Sequence, residues 1–101
     1  MVEMKPIRIG AHQFTAITVR LPKTNFMAVA GENGYIMCGA LDVSLLNEKL
    51  PERKIIAARA VGVRTIEELL EAPLESVTLE AEKRGITPGT IGKEALVKMV
   101  D

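Results

Sequence analysis

The chain carries one cysteine, Cys38, which is its only thiol nucleophile. Cys38 ends an apolar segment that predicts a buried strand, and Asp42 follows it as a typical helix N-cap. Arg59 and Arg64 lie in and just after a second apolar segment. A nearby arginine and a helix N-terminus both favour a thiolate, and ligands of open sheets bind beyond the strand ends. These four residues therefore predict a crevice that binds an anion or carries cysteine chemistry.

Each of these residues also has a structural interpretation. Unpaired cysteines commonly pack as small core hydrophobes, and Asp42 has a sufficient role as a helix cap. Arg59 lies among apolar residues, where a charge requires an ion-pair partner or a ligand. Arg64 precedes Thr65, where free helix N–H groups offer a place for an anion. Two hypotheses follow: a small anionic metabolite binds near Cys38, Arg59 and Arg64, or Cys38 is the nucleophile of a cysteine-dependent enzyme.

The polar loop Pro22–Asn25 adds two candidate ligand-binding residues, Lys23 and Asn25. In the enzyme hypothesis Asn25 orients a substrate carbonyl, whereas the alternative gives both residues a role in the turn alone. His12 is the only histidine and has no second histidine or cysteine nearby in the sequence. We therefore predict no metal site and no cofactor.

The first half of the chain predicts strands that position these residues. Val2–Ile9 is strand-like, and Pro6 marks an edge position or a bulge within it. Phe14–Leu21 alternates, with one face carrying Ile17, Val19 and Leu21 and the other carrying Thr18 and Arg20. Gly31–Gly34 contains Asn-Gly and predicts a hairpin turn before Tyr35–Gly39, a strand that is apolar on both faces.

The second half predicts a parallel crossover followed by helices. A helix from Asp42 to Leu50 leads into a strand over Ile55–Gly62, which suggests a right-handed strand–helix–strand unit. Thr65 and Glu68 form a capping box for the next helix. A further helix is predicted to begin at Pro73 and end at Gly85. The apolar stripe of this helix consists of Leu74, Val77 and Ala81. The last helix is predicted to begin near Thr87-Pro88 or at Thr90.

The sequence therefore predicts one α+β domain over residues 1–101. Its N-terminal antiparallel strands and hairpin are followed by the parallel crossover and by C-terminal helices packed on the sheet. Residues 1–41 supply mainly strands, and residues 42–101 supply a helix, a strand and further helices.

Composition narrows the function. The 101 residues include 13 basic and 13 acidic side chains, so the positive excess of a phosphate-backbone binder is missing. One cysteine cannot form an intrachain disulfide, and no apolar run approaches about 18 residues. We expect a cytosolic protein without nucleic-acid or membrane partners. With only three aromatic residues, the core depends on small aliphatic side chains, and such a core gains burial from subunit association.

Three segments together resemble the YunC-type family of bacteria and archaea, a domain of unknown function: Leu21–Met27, Gly34–Asp42 and Ala60–Thr65. The resemblance covers nearly the whole chain. It implies an α+β domain whose N-terminal strands form a tetramerisation region, and it carries no catalytic assignment. We therefore expect a homo-oligomer, a tetramer through the N-terminal strands. A third hypothesis, a purely structural assembly subunit without a ligand, stands beside the two above.

Overall fold

The computed structural model describes residues 1–39, 43–48 and 51–100. Within them, one six-stranded sheet has its strands in chain order from edge to edge. All neighbouring strands are antiparallel except β4 and β5, which are parallel. The strands are β1 (Val2–Ile9), β2 (His12–Leu21), β3 (Thr24–Ala30), β4 (Gly34–Met37), β5 (Ile56–Arg59) and β6 (Ser76–Val77).

Four short helices accompany the sheet in the described parts of the chain. None of them is long and apolar enough to cross a membrane. The helices are α1 (Val43–Glu48), α2 (Ile66–Glu71), α3 (Leu79–Lys83) and α4 (Gly92–Lys98), with a 3₁₀ turn at Pro51–Arg53. Strands come first, α1 lies in the parallel crossover, and the remaining helices follow. The predicted α+β fold is therefore confirmed.

The turn between β2 and β3 is tighter than the sequence predicted. Leu21 pairs directly with Thr24, which leaves Pro22 and Lys23 as a two-residue turn. Lys23 has a φ of 66°, the left-handed conformation that the second position of a type II turn requires. Thr24 and Asn25 are consequently the first residues of β3 and not part of a loop.

The hairpin between β3 and β4 and the parallel pairing of β4 with β5 agree with the prediction. The turn between β3 and β4 is closed by a hydrogen bond from Gly31 N to Gly34 O of 2.9 Å. β4 and β5 then pair in parallel, with Met37 opposite Arg59. Of the predicted helix Asp42–Leu50, the structure describes Val43–Glu48, and both predicted ends lie outside the described residues.

The predicted helix at Pro73 is wrong. Pro73 forms an isolated bridge with Ile91, and Leu74 N donates to Thr90 O over 2.8 Å, so this segment bonds to the chain before α4. It then forms β6 against β5, and α3 begins only after Thr78, whose Oγ1 accepts from Ala81 N over 3.2 Å. The apolar spacing that suggested one helix therefore belongs to a strand and a later helix.

The two remaining helix starts are clear. Thr65 Oγ1 accepts a hydrogen bond from Glu68 N of 3.0 Å, which confirms the predicted cap of α2. α4 begins at Gly92, later than predicted. The short side-chain bond from Lys93 to Glu71, 2.8 Å long, joins α4 to α2 and raises the pKa of Lys93 above its usual value.

The main core lies between one face of the sheet and the helices α2, α3 and α4. This covered face takes alternate residues from each strand, because side chains of a strand point to opposite faces in turn. A smaller cluster on the opposite face joins α1 to β4 and β5 through Val43 and Ala57. The main cluster includes Phe14, Ala16, Met27, Val29, Ile36, Ala58, Leu69, Leu74, Ile86, Leu96 and Met99.

Candidate functional site

Cys38 lies in the main core. The residue is 6% exposed, and it directly follows β4 on the covered face. Met27 N donates to Cys38 Sγ over 3.4 Å, and Cys38 N donates to Met27 O over 3.0 Å. The thiol is therefore buried among the described core residues, and we expect a reagent to reach it when this part of the core opens.

Arg59 lies on the other face of the sheet. It stands opposite Met37 in the parallel register, whereas Cys38 comes one residue later and shares the covered face with Ala58. Arg59 Nε lies 3.1 Å from Glu75 Oε1, and both side chains are partly exposed. The sheet thus separates the guanidinium of Arg59 from the thiol of Cys38, although both residues lie at the same end of the strands.

The start of α2 brings Arg64 and Thr65 together, but the local charge there is negative. Arg64 N donates to Glu68 Oε1 over 2.6 Å, and Thr65 Oγ1 accepts from Glu68 N. Glu67 adds a second carboxylate in the first turn. An anion at this helix start meets two carboxylates, one of which already accepts from the backbone.

Lys23 and Asn25 lie at the same sheet end, since the start of β3 adjoins the end of β4. Both side chains are exposed. Asn25 stands opposite Arg20 on β2, and Asp42 lies outside the described residues. The anion and cysteine hypotheses therefore stay predictions, with their residues distributed over two faces of the sheet.

Alkylation of native Cys38 by iodoacetamide is expected to be on the order of 100-fold slower than alkylation of the unfolded chain, because the core must open first. Mass spectrometry of timed samples measures both rates. A matched control places an exposed thiol in the same protein through Thr87→Cys in a Cys38→Ala background. Native Cys38 reacting as fast as this surface thiol, or faster, contradicts the burial argument and favours the enzyme hypothesis.

A second surface stands out on the face of β1, β2 and β3 that points away from α2, α3 and α4. We call it the open face. Val2 and Met4 are 60% and 66% exposed there, and Leu21 is 46% exposed. None of its apolar residues belongs to either core cluster. The open face consists of Val2, Met4, Ile17, Val19, Leu21, Phe26 and Ala28, which the strand register places on one side.

Near the end of the sheet where β1 begins, the covered side of β1, β2 and β3 is polar. Farther along the same strands, this side carries the main core. Arg20 Nη1 lies 2.8 Å from Glu3 Oε2 across β1 and β2, and both side chains are about half exposed. On the open side, by contrast, charge among the strand residues is confined to Arg8 and Arg59. The projecting ends of β1 to β3 therefore have a polar side toward the helix layer and an apolar side away from it.

The free edge of β1 is interrupted by Pro6. Met1 and Arg20 exchange backbone hydrogen bonds of 2.7 and 3.2 Å, so odd-numbered residues of β1 bond to β2 and even-numbered ones direct their backbone outward. Pro6 is one of the outward residues and has no N–H to donate. This confirms the predicted edge position, and it weakens strand-to-strand addition at this edge.

The sequence predicts the β2 part of the open face but not the contributions of β1 and β3. The alternation of Ile17 and Val19 was visible, but alternation alone does not say which face the helices cover. Met4 and Phe26 were not candidates, because isolated apolar residues on strands are ordinary. Their common side follows only from the register between β1, β2 and β3.

These features define a small α+β domain in which α2, α3 and α4 cover one sheet face, and the described residues leave the apolar side of β1, β2 and β3 open on the other. Residues 37–99 match the model of a family described as a domain of unknown function, DUF1805. The chain belongs to this family, which confirms the YunC-type resemblance.

Two relatives extend the likeness over the whole domain. The chain is 68% identical over 100 residues to the uncharacterized protein YunC of Bacillus subtilis (strain 168), with 99% of each chain covered. Its fold is similar to the crystal structure of TA1206, a protein of unknown function from Thermoplasma acidophilum, with a TM-score of 0.87. That likeness has 29% sequence identity and covers 98% of this chain and 93% of the other.

Proposed function

We propose that this protein is a cytosolic homo-oligomer that assembles through the open face, with a second copy covering the apolar side of β1, β2 and β3. The observation that carries the proposal is the set of apolar side chains that lie on one side of the sheet and belong to neither core cluster. Contiguous exposed apolar surface of this kind is typical of an interaction site. The domain acts, in this proposal, as an assembly subunit.

The size of the open face sets the scale of the contact that it can make. β2 has ten residues, which at a rise of about 3.3 Å per residue extend about 33 Å, and three strands about 4.8 Å apart add about 14 Å of width. The three strands therefore present at most about 460 Å² in plan, somewhat more than half of the ~800 Å² of accessible surface that a standard interface buries on each partner. A smaller, transient contact needs less.

The chemistry of the open face favours a second copy over other partners. A nucleic acid or an anionic lipid surface is bound by clustered basic residues, and the centre of this face has none. In a two-fold contact the same patch meets itself, so the patch must not carry like charges at its centre. The two arginines on this side, Arg8 and Arg59, lie outside the apolar patch. Pro6 weakens the edge of β1, which favours sheets packed face to face.

Arg59, a residue of the anion hypothesis, lies close to the proposed contact between copies. Arg59 lies beside Met37 on the same side of the sheet as the open face. An anion that displaced or joined Glu75 at Arg59 would bind near the boundary between two copies. The assembly proposal does not depend on such a ligand.

The replacement Phe26→Asp is expected to dissociate the assembly, because it places a charge inside the apolar contact. A desolvated, unpaired carboxylate weakens self-association by at least about 100-fold. Analytical ultracentrifugation over a range of protein concentrations measures the dissociation constant, and circular dichroism checks the fold.

Asn25→Asp is the matched control, since it adds the same charge one residue away on the other side of β3. Asn25 is exposed and stands opposite Arg20, so the new carboxylate has a cation nearby. This variant is expected to assemble like the unaltered protein. A monomeric unaltered protein, or equal assembly of both variants, overturns the proposal.

A further inference from the structure

We infer that a cavity at the end of the sheet where β2 begins binds a small organic ammonium ion. The cavity lies among three parts of the chain: the start of β2, the turn between β3 and β4, and the residues that follow α4. Its volume is about 290 Å³. A cavity of about 150 Å³ holds a benzene molecule, so this one accommodates a six-membered ring with a short substituent.

The walls of the cavity are held together by packing and by a hydrogen bond between distant parts of the chain. Asn33 Nδ2 donates to Val100 O over 2.8 Å and so joins the turn to the residues after α4. A Cβ on Gly34 would lie 2.9 Å from Met99 Sδ, which shows how closely the turn packs on this segment. Because these walls are already in contact, a ligand has little chain to order when it binds.

The base of the cavity is apolar and belongs to the main core. Phe14 and Met99 line it, although they are only 4% and 2% exposed. The ring of Phe14 packs against Gly31, where a Cβ would lie 3.0 Å from two of the ring carbons. These side chains offer contact to the apolar part of a ligand. An aromatic ring also attracts a nearby cation, and a thioether is polarisable.

The charge around the cavity is negative. Glu32 is the one carboxylate among the described lining residues, and no lysine or arginine stands beside it there. Glu32 is exposed, and it forms no ion pair within the described parts of the chain. His12 adds an imidazole, which has a nitrogen that accepts a hydrogen bond when the ring is neutral. A ligand with a positive charge and N–H donors therefore matches this lining.

Two other classes of ligand match the lining less well. An anion would meet the carboxylate of Glu32 without a basic side chain to balance it. A metal ion requires several donor side chains, and no three His, Cys, Asp or Glu residues come together for one in the regions that the structure describes. Arg53 and Lys54 line a neighbouring cavity that shares the turn Gly31–Gly34. The two cavities beside this turn therefore differ in charge.

The experiment titrates the isotope-labelled full chain with benzylammonium chloride and follows the NMR signals of the backbone amides of His12, Gly31 and Glu32. These signals are expected to shift with a dissociation constant of about 1 mM or tighter, which suits a ligand of about eight non-hydrogen atoms. Benzyl alcohol and benzoate carry the same ring without the positive charge. Both are expected to bind at least about fivefold more weakly.

Three variants test the contribution of charge to this binding. Glu32→Gln removes the carboxylate, keeps the shape, and is expected to weaken benzylammonium binding about fivefold. Ala11 is exposed and also lines the cavity, so Ala11→Arg places a competing cation there and is expected to weaken binding at least as much. Glu67→Gln is the matched control, because it removes an exposed carboxylate of α2 that does not line the cavity. It is expected to bind like the unaltered protein.

Each contrary result overturns a stated part of the inference. Equal benzylammonium affinity of Glu32→Gln and Glu67→Gln, or equal affinity of the unaltered protein for benzylammonium and benzyl alcohol, overturns the assignment of an ammonium ligand. Signals of His12, Gly31 and Glu32 that stay unchanged throughout the titration overturn the cavity as a binding site. The cavity lies on the side of Phe14, away from the open face, so these results leave the proposed assembly unaffected.

Discussion

Replacing Gly34 by alanine is expected to lower the free energy of unfolding by about 3 kcal/mol, the upper part of the range for an overpacked interior. A Cβ at this position would stand 2.5 Å from Ile56 O and 2.9 Å from Met99 Sδ. Gly34 pairs with Ile56 at the start of the parallel β4–β5 ladder, so the carbonyl belongs to a hydrogen-bonded strand and has little freedom to move. Urea unfolding followed by circular dichroism measures the loss.

Gly39 supplies the matched control near the other end of the same strand. A Cβ there would lie 3.6 Å from Val61 Cγ1, an ordinary contact. Because alanine also restricts the unfolded chain, Gly39→Ala is expected to leave the unfolding free energy within about 1 kcal/mol of the original or above it. Equal losses for Gly34→Ala and Gly39→Ala would remove the close approach of β4 and β5 as the cause.

Local chemistry in the sequence was sufficient for much of the fold. The hairpin at Gly31–Gly34, the cap at Thr65 and the parallel pair β4 and β5 were predicted from residue types, and the structure confirms each. The expected positive φ of the Asn-Gly pair is wrong, because neither Asn33 nor Gly34 has one. The helix predicted at Pro73 is wrong because the spacing of Leu74, Val77 and Ala81 also fits a short strand, the single capping residue Thr78 and a later helix. Its backbone bonds to Thr90 and Arg59, which lie in other parts of the chain and cannot be seen locally.

Cys38 and Arg59 do not form one site, because their side chains lie on opposite faces of the sheet. The crossover correctly placed Cys38 and Arg59 at one end of the sheet. Side chains alternate along a strand, however, and the register that sets Met37 opposite Arg59 puts the next residue, Cys38, on the other face. A shift of one residue in the pairing would have joined them, and sequence spacing does not fix that register.

For the open face, the sequence predicted the apolar alternation over Ile17 and Val19. It did not predict that this side of the strands is left uncovered. The alternation over Ile17 and Val19 is typical of a strand with one buried face. From one chain alone, we expect its own helices to pack on that face. Here α2, α3 and α4 lie on the side of Phe14 and Ala16, and α1 covers only β4 and β5 on the other side. In the proposed assembly, a second copy of the chain covers the apolar side that remains, and the sequence of one chain does not show such a partner.

Two isoleucine-to-alanine replacements are expected to separate the covered face from the open face. Ile36 is fully buried in the main core, so Ile36→Ala is expected to remove about 3–4 kcal/mol of stability at every protein concentration. Ile17 lies on the open face, and each two-fold contact contains two copies of it. Ile17→Ala is therefore expected to weaken assembly on the order of 100-fold while changing the stability of the separated chain by less than about 1 kcal/mol.

Thermal unfolding over a thousandfold range of protein concentration distinguishes these effects, because an oligomer that dissociates on unfolding melts at higher temperature when it is more concentrated. The unaltered protein and Ile36→Ala are expected to keep this concentration dependence, with Ile36→Ala displaced to lower temperature throughout. Ile17→Ala is expected to lose most of it in the dilute range and to approach the unaltered protein at high concentration. Parallel curves for Ile17→Ala and Ile36→Ala would mean that Ile17 contributes to the fold of one chain and not to contact between copies.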